Sequence, residues 1–246
     1  MDRADLTVHI PPELRFFLPP RHRHAPIPVP HDPHATLGHT IQTLGVPLTE
    51  VGPLYADHTP VSPQHRPAPG QDIQVFTPDL PQATPTDPPR FLLDVHLGTL
   101  ARRLRLLGLD TIYDNDRDDL SLLQQANTEQ RILLTRDRGL LYRRNLHTGA
   151  HVHADHPDTQ LHEVLHRFAP PLHPWTRCPA CNGLLRPASP TEVAHLVEAG
   201  TRATYNTFAR CTHCGRVYWP GAHHRHLNTI VRRAEKTAPV NDNKHP

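Results

Sequence analysis

The spacing of apolar residues changes several times along this chain, and each change marks an element. LTVHI (residues 6–10) alternates in the manner of a strand. TLGHTIQTLG (Thr36–Gly45) instead sets Leu37, Ile41 and Leu44 on one helical face and ends in glycine. PGQDIQVFTP (Pro69–Pro78) reads as a turn followed by a closing strand. The order over residues 1–78 is strand, a strand or irregular stretch, helix, strand, strand. That order predicts a small β-grasp domain. The next stretch, DLPQATPTDPP (residues 79–89), is rich in proline and poor in apolar material, so it reads as a linker.

From residue 90 the pattern becomes a regular alternation. FLLD is a short apolar strand, and Leu97, Leu100, Leu104 and Leu107 then recur at helical spacing up to Gly108. DTIYD gives a second strand and LSLLQQA a second helix. RILLT is a continuous apolar run of the kind found in buried parallel strands. RGLLYRR, AHVHA and DTQLHEVLHRF supply a third helix, a fourth strand and a fourth helix. Strand–helix alternation predicts an α/β domain over 90–170 with a parallel sheet and right-handed crossovers. Residues 171–235 are read as a cysteine-bearing ribbon with a C-terminal helix, and 236–246 as a disordered tail.

In a parallel sheet the carboxyl ends of all strands share one edge, where ligands bind. Asp94, Asp137 and Asp155 each follow a predicted strand, and Asp118 and Asp119 open the second helix. Acids gathered at one rim repel each other unless a divalent cation joins them, and Mg²⁺ or Mn²⁺ suits oxygen ligands. The competing reading is that these residues are helix caps or solvated loop acids, with Asp119 a plausible N-cap. Arg102, Arg103 and Arg105 lie mostly off the leucine stripe, and Arg136 and Arg138 flank Asp137. All five are candidate nucleic-acid phosphate contacts, against a solvated helix face.

The four cysteines form two CxxC pairs, Cys178/Cys181 and Cys211/Cys214, each followed closely by glycine. Four thiolates at this spacing point to a closed, structural tetrahedral Zn²⁺ site. Paired cysteines of this kind fit a reducing compartment, and no apolar run suggests a membrane span, so a cytoplasmic protein is expected. The chain has 246 residues, a net charge of only +2 and 22 histidines. Basic side chains are nearly all arginine, which a GC-rich coding bias explains, so histidine abundance carries no metal signal.

The ordered set FLLDVHLGTLARRLRLLGLDT, DDLSLLQQA, RILLTRDRGLL, QLHEVL, RCPACNGLL and CTHCGRVYWPGAHHRHL resembles the PIN-like ribonuclease family named after the C-terminal domain of the mut-seven exonuclease. The resemblance covers about residues 90–228 and includes the zinc ribbon. Residues 1–78 resemble the ubiquitin-like domain fused before this module in bacterial members. The resemblance implies a PIN-like fold and metal-dependent cleavage of RNA. It carries Asp94, Asp119 and Asp137 over as metal ligands, with Asp118 competing for the place of Asp119 and Asp155 as a fourth acid. Sulfur carriers of the β-grasp class end in Gly-Gly, whereas here the domain runs through Phe76-Thr77-Pro78 into the linker, so an RNA- or protein-binding role is expected for it. The alternatives are a non-catalytic RNA-binding adaptor that uses the ribbon and the basic helix, and an interaction scaffold built on the β-grasp domain.

Overall fold

The computed structural model describes residues 4–24 and 26–237. The chain divides into two compact units. One is the chain up to Gln82 together with Asp137–His151; the other is Ala83–Arg136 with the chain from Val152 onward.

In the first unit, β1 (Leu6–His9), β2 (Ile27–Val29), α1 (Leu37–Leu44), β3 (Leu54–Ala56), β4 (Thr59–Val61) and β5 (Asp72–Val75) follow in order. The sheet order is β2-β1-β5-β3-β4, with β1 and β5 parallel at the centre and the other pairs antiparallel. Thr36 caps α1 by accepting from the His39 N–H, and Gly45 closes the helix at φ 109°. Leu37 and Ile41 from the predicted stripe are fully buried against Val8, Ile73 and Phe17 of the same core. This is the β-grasp arrangement that the pattern predicts: the helix covers one face of a mixed sheet.

In the second unit, β6 (Phe91–Leu93), α2 (Gly98–Leu106), β7 (Thr111–Tyr113), α3 (Asp119–Thr128) and β8 (Ile132–Thr135) alternate as expected. β6 pairs in parallel with both β7 and β8. Every residue of β6 and β8 is buried, which accounts for their unbroken apolar runs. Leu97, Leu100, Leu104 and Leu107 are fully buried, as their spacing predicts. Gly108 ends the helix at φ +85°, and a Cβ there would stand 2.1 Å from the His173 carbonyl oxygen, so only glycine fits.

The intervening Asp137–His151 holds α4 (Arg138–Leu141) and β9 (Gly149–His151). α5 (Pro157–Phe168) then packs on α2 and on the C-terminal α8 (Ala222–Thr237). Between α5 and α8 lies the antiparallel ribbon β10 (Leu185–Ala188), β11 (Phe208–Cys211) and β12 (Val217–Tyr218), with short helices α6 (Pro190–Val193) and α7 (Ala199–Thr204) inserted after β10. These two short helices were not anticipated. The expected tail from residue 236 begins within α8, and beyond Thr237 it lies outside the described residues. Among the described residues no helix is long and apolar enough to cross a membrane.

By sequence Asp137–His151 sits inside the α/β region; by packing it belongs to the first unit. Glu50, only 4% exposed, accepts from the His151 N–H at 2.7 Å. The Tyr142 hydroxyl donates to the Gly45 carbonyl, and the Arg138 guanidinium lies 5.0 Å from the centre of the Phe16 ring. The third helix is shorter than RGLLYRR suggests, because the chain turns at Tyr142 to reach that carbonyl. Removing a buried acceptor strands its donor at a cost of about 1–3 kcal/mol. Glu50→Ala should therefore lower the denaturation midpoint and speed hydrogen exchange of the His151 amide. Unchanged exchange at that amide would show that Glu50 does not hold the segment.

Candidate metal and nucleic-acid sites

Asp94 directly follows β6, its backbone N–H still donating to the Leu134 carbonyl, and it caps the 3-10 turn Val95–Leu97. Its side chain is 6% exposed. One carboxylate oxygen accepts from the Val95 N–H at 2.6 Å, and the other accepts from the Thr135 hydroxyl at 2.8 Å. Both donors are neutral, and no arginine, lysine or histidine pairs with this carboxylate among the described residues. A buried carboxylate without a cation is costly, and each oxygen keeps a free lone pair for one. The donor set therefore fits a hard divalent ion that takes one or two carboxylates and completes its shell with water and substrate. Thr135 was not anticipated as a site residue; its only signal in the sequence was its place two residues before Asp137 in the TRD stretch.

The other acids stand differently. Asp118, not Asp119, caps α3, accepting from both the backbone and the hydroxyl of Ser121, and these two bonds hold its carboxyl below the usual range. Asp119 is the exposed first residue of the helix. Asp137 caps α4 through a 2.7 Å bond from the Gly139 N–H and is also exposed. Asp155 is largely exposed and paired with Arg136. The four cysteines are the one group of metal-type ligands among the described residues whose donor atoms all lie within 4.8 Å of one another. Asp94, Asp118, Asp119 and Asp155, all in the second unit, do not form such a group.

Of the predicted phosphate contacts, Arg102 is exposed, and Arg103 is half-buried and pairs with Asp158 at 2.6 Å. Arg138 is exposed over Phe16, and its Nη1 reaches the Phe16 carbonyl at 3.5 Å. Arg105 is a correction. It is 4% exposed, and its guanidinium donates to the carbonyls of Thr111 (2.8 Å), Pro179 (3.2 Å) and Ala180 (2.9 Å). Leu104 and Leu106 beside it are also buried, and the turn of the helix carries Arg105 inward with them. It braces the first cysteine knuckle and offers no charge to a phosphate. Burial is the main force lowering its pKa.

The knuckles themselves are well formed. Cys178 and Cys214 have their sulfurs 3.7 Å apart, and Cys181 and Cys211 3.4 Å. Tetrahedral zinc with ~2.3 Å bonds places sulfurs ~3.8 Å apart, so the set fits a tetrahedral thiophilic ion. The left-handed residue of the first knuckle is Asn182 (φ 69°) and of the second Gly215 (φ 73°). Gly183 is needed for a different reason: a Cβ there would meet the Cys211 sulfur at 2.9 Å. Burial pushes the Cys211 thiol up, yet N–H bonds from Cys214 and His213 outweigh it and bring the pKa down to about 7. Cys181 is pushed up to about 12, chiefly by burial. Thiolates this close repel one another, and a divalent cation removes the conflict. Trp175 stacks on His224 with ring centres 4.4 Å apart. The Tyr218 hydroxyl contacts the Cys178 sulfur at 3.0 Å.

Asp110 joins the ribbon to the sheet. It accepts from Arg131 and from the Asn182 side chain, each at 2.8 Å, and Arg177 stands 3.5 Å away. Asn182 in turn accepts from the Thr111 N–H through its side-chain oxygen.

Residues 89–231 match the family model described as the Mut7-C RNAse domain, and residues 3–82 match the one described as Mut7-C ubiquitin. No curated protein and no solved structure matches the chain.

Burial pushes the Asp110 carboxyl up, but the bonds from Arg131 and Asn182 outweigh it and leave the pKa below its ordinary value. The linked stability is complete above the unfolded value of about 3.9 and is lost as pH falls through the depressed folded value. Asp110→Asn should therefore flatten the acid limb of a stability–pH curve below about pH 4. An acid limb as steep as wild type would assign the acid sensitivity to other groups.

Proposed function

The chain belongs to the Mut7-C RNase domain family, which makes it ribonuclease-like, and from that premise we propose that it hydrolyses RNA phosphodiester bonds at a metal centre anchored on Asp94. The observation that carries this reading is the burial of the Asp94 carboxylate with two neutral donors and no cationic side chain. A bound Mg²⁺ or Mn²⁺ would supply Lewis acidity and an activated water for in-line displacement. Thr135 positions Asp94, because its hydroxyl fixes one carboxylate oxygen. Asp119 is the second ligand proposed, since Asp118 is engaged as the cap of α3. Asp137 is assigned a metal-binding role on the TRD motif alone, and Asp155 is the weakest of the set because it is exposed and paired with Arg136. Arg102 and Arg138 are the arginines proposed to contact phosphates without first leaving an acidic partner, and Arg103 and Arg136 would have to exchange Asp158 and Asp155 for a phosphate.

The four cysteines are proposed to hold Zn²⁺ in a structural role. Around that site, Arg105 and Asp110 join the ribbon to the sheet. We assign the nuclease module to about 90–170 and the ribbon with its helix to 171–235, with 79–89 as the connection to the ubiquitin-like domain. A cytoplasmic location would keep the thiols reduced. The alternative reading, an RNA-binding adaptor without catalysis, draws on one observation: Asp118 and Asp137 each cap a helix, which is a sufficient reason for an acid at those positions.

Cleavage of labelled single-stranded and structured RNA, with Mn²⁺, Mg²⁺ or EDTA, separates the two. Wild type should cut only with metal, and Asp94→Asn and Asp137→Asn should each abolish cutting while the fold is retained. Thr135→Val should weaken metal dependence or rate by about 10–100-fold, the usual effect of removing a partner that orients a ligand. Metal-independent RNA binding with no cleavage in any condition would establish the adaptor. For the ribbon, elemental analysis should find one zinc per chain, and its removal by chelation should lower the unfolding temperature. A metal-free protein of unchanged stability would overturn the structural zinc.

A further inference from the structure

The first unit contains a cleft of about 510 Å³, lined by His34, His39 and Gln42 from the β-grasp body and by Arg143 and Arg144 from the Asp137–His151 segment. Both arginines are exposed, as are the two histidines. Asp32 is the only acid lining it, and one of its oxygens accepts from the His34 backbone N–H at 2.8 Å. Arg144 has no acidic partner among the described residues. The N-terminal N–H groups of α1 do not face a ligand: Leu37 and Gly38 donate to the carbonyls of His65 and Pro63, and His39 donates to Thr36. The cleft is therefore set apart by its side chains, two guanidiniums, two imidazoles and the amides of Gln42 and Gln64. These are groups that contact phosphate oxygens in nucleic-acid complexes.

Position adds a second argument. The segment that supplies the two arginines begins with Asp137 and is held in this unit by Glu50 and Tyr142. Five residues lie between Asp137 and Arg143, the first four of them forming α4. Asp137 and the two arginines thus stand on one short segment of the same unit.

We propose that this cleft of the ubiquitin-like unit binds the phosphates of a single-stranded RNA, making that unit a substrate-holding surface. The choice of RNA rests on the ribonuclease reading above; the anion specificity rests on the cleft itself.

The test is fluorescence anisotropy of a labelled single-stranded oligoribonucleotide on the full chain in EDTA, so that no cleavage intervenes, over a range of salt concentrations. Each phosphate contact on a single strand contributes about 0.7 to the slope of log affinity against log salt. Arg143→Ala/Arg144→Ala should lower affinity about tenfold and make the slope shallower by about 1.4. Arg143→Lys/Arg144→Lys should keep the slope, because the charge remains. Arg21→Ala, an exposed arginine of the same unit outside the cleft, should behave as wild type. Thermal unfolding midpoints equal to wild type confirm that the exposed substitutions leave the fold intact.

An unchanged slope and affinity in the double alanine variant would overturn the proposal, as would a wild-type protein that fails to bind RNA. If wild type binds, the variant loses binding and no condition gives cleavage, the cleft stands and the ribonuclease reading fails. If wild type cleaves while the slope does not move, the cleft alone fails.

Discussion

A carboxyl group buried just past the end of an apolar strand is the constraint on which the candidate site depends. β6 is three residues long and wholly buried, and Asp94 follows it with no change of direction. Its neighbours Val95 and Thr135 contribute dipoles but no charge, and dipoles alone compensate poorly for a carboxylate removed from water. A structural salt bridge was available in principle, since α2 carries three arginines nearby in sequence. Arg103 instead pairs with Asp158, and Arg105 reaches carbonyls of the ribbon. The Asp94 carboxylate is thus left without a cationic side chain among the described residues, which is what the proposed metal centre rests on.

The cysteine ribbon is joined to the sheet by charged and polar bonds more than by apolar packing. Arg105 spans the Thr111 carbonyl and the two carbonyls of the Pro179–Ala180 turn. Asp110 gathers Arg131, Arg177 and Asn182, the left-handed residue of the first knuckle. Removing one member of such a network leaves the others buried and unpaired, so its members are interdependent. Some of the arginines that make the chain look like a nucleic-acid binder are therefore spent on holding it together. Net basic content is a poor guide to contact surfaces until burial is known.

The Asp137–His151 segment has a comparable double role. Its helix α4 begins at a capping aspartate that is also a proposed metal ligand. The rest of the segment is committed to the ubiquitin-like unit through a buried glutamate, a tyrosine hydroxyl and a guanidinium over an aromatic ring.

The sequence by itself determined the elements. The alternation of LTVHI, the leucine stripe of α2, the unbroken RILLT run and the paired CxxC knuckles each follow from local periodicity or spacing, and each is where the pattern places it. It also carried the family, through motifs of fixed order. It did not determine which of Asp118 and Asp119 caps α3, because adjacent residues differ only in a backbone angle that the following turn selects. Nor did it show that Arg105 turns inward while Arg102 stays in water: both lie on one helix, and the difference is what packs against each face. Thr135 became a site residue only when β8 was laid beside β6, which brings residues 41 positions apart within one hydrogen bond. The place of Asp137–His151 was likewise a tertiary matter. A short apolar strand has no preference for either unit until a buried acceptor, Glu50, is found 101 residues away.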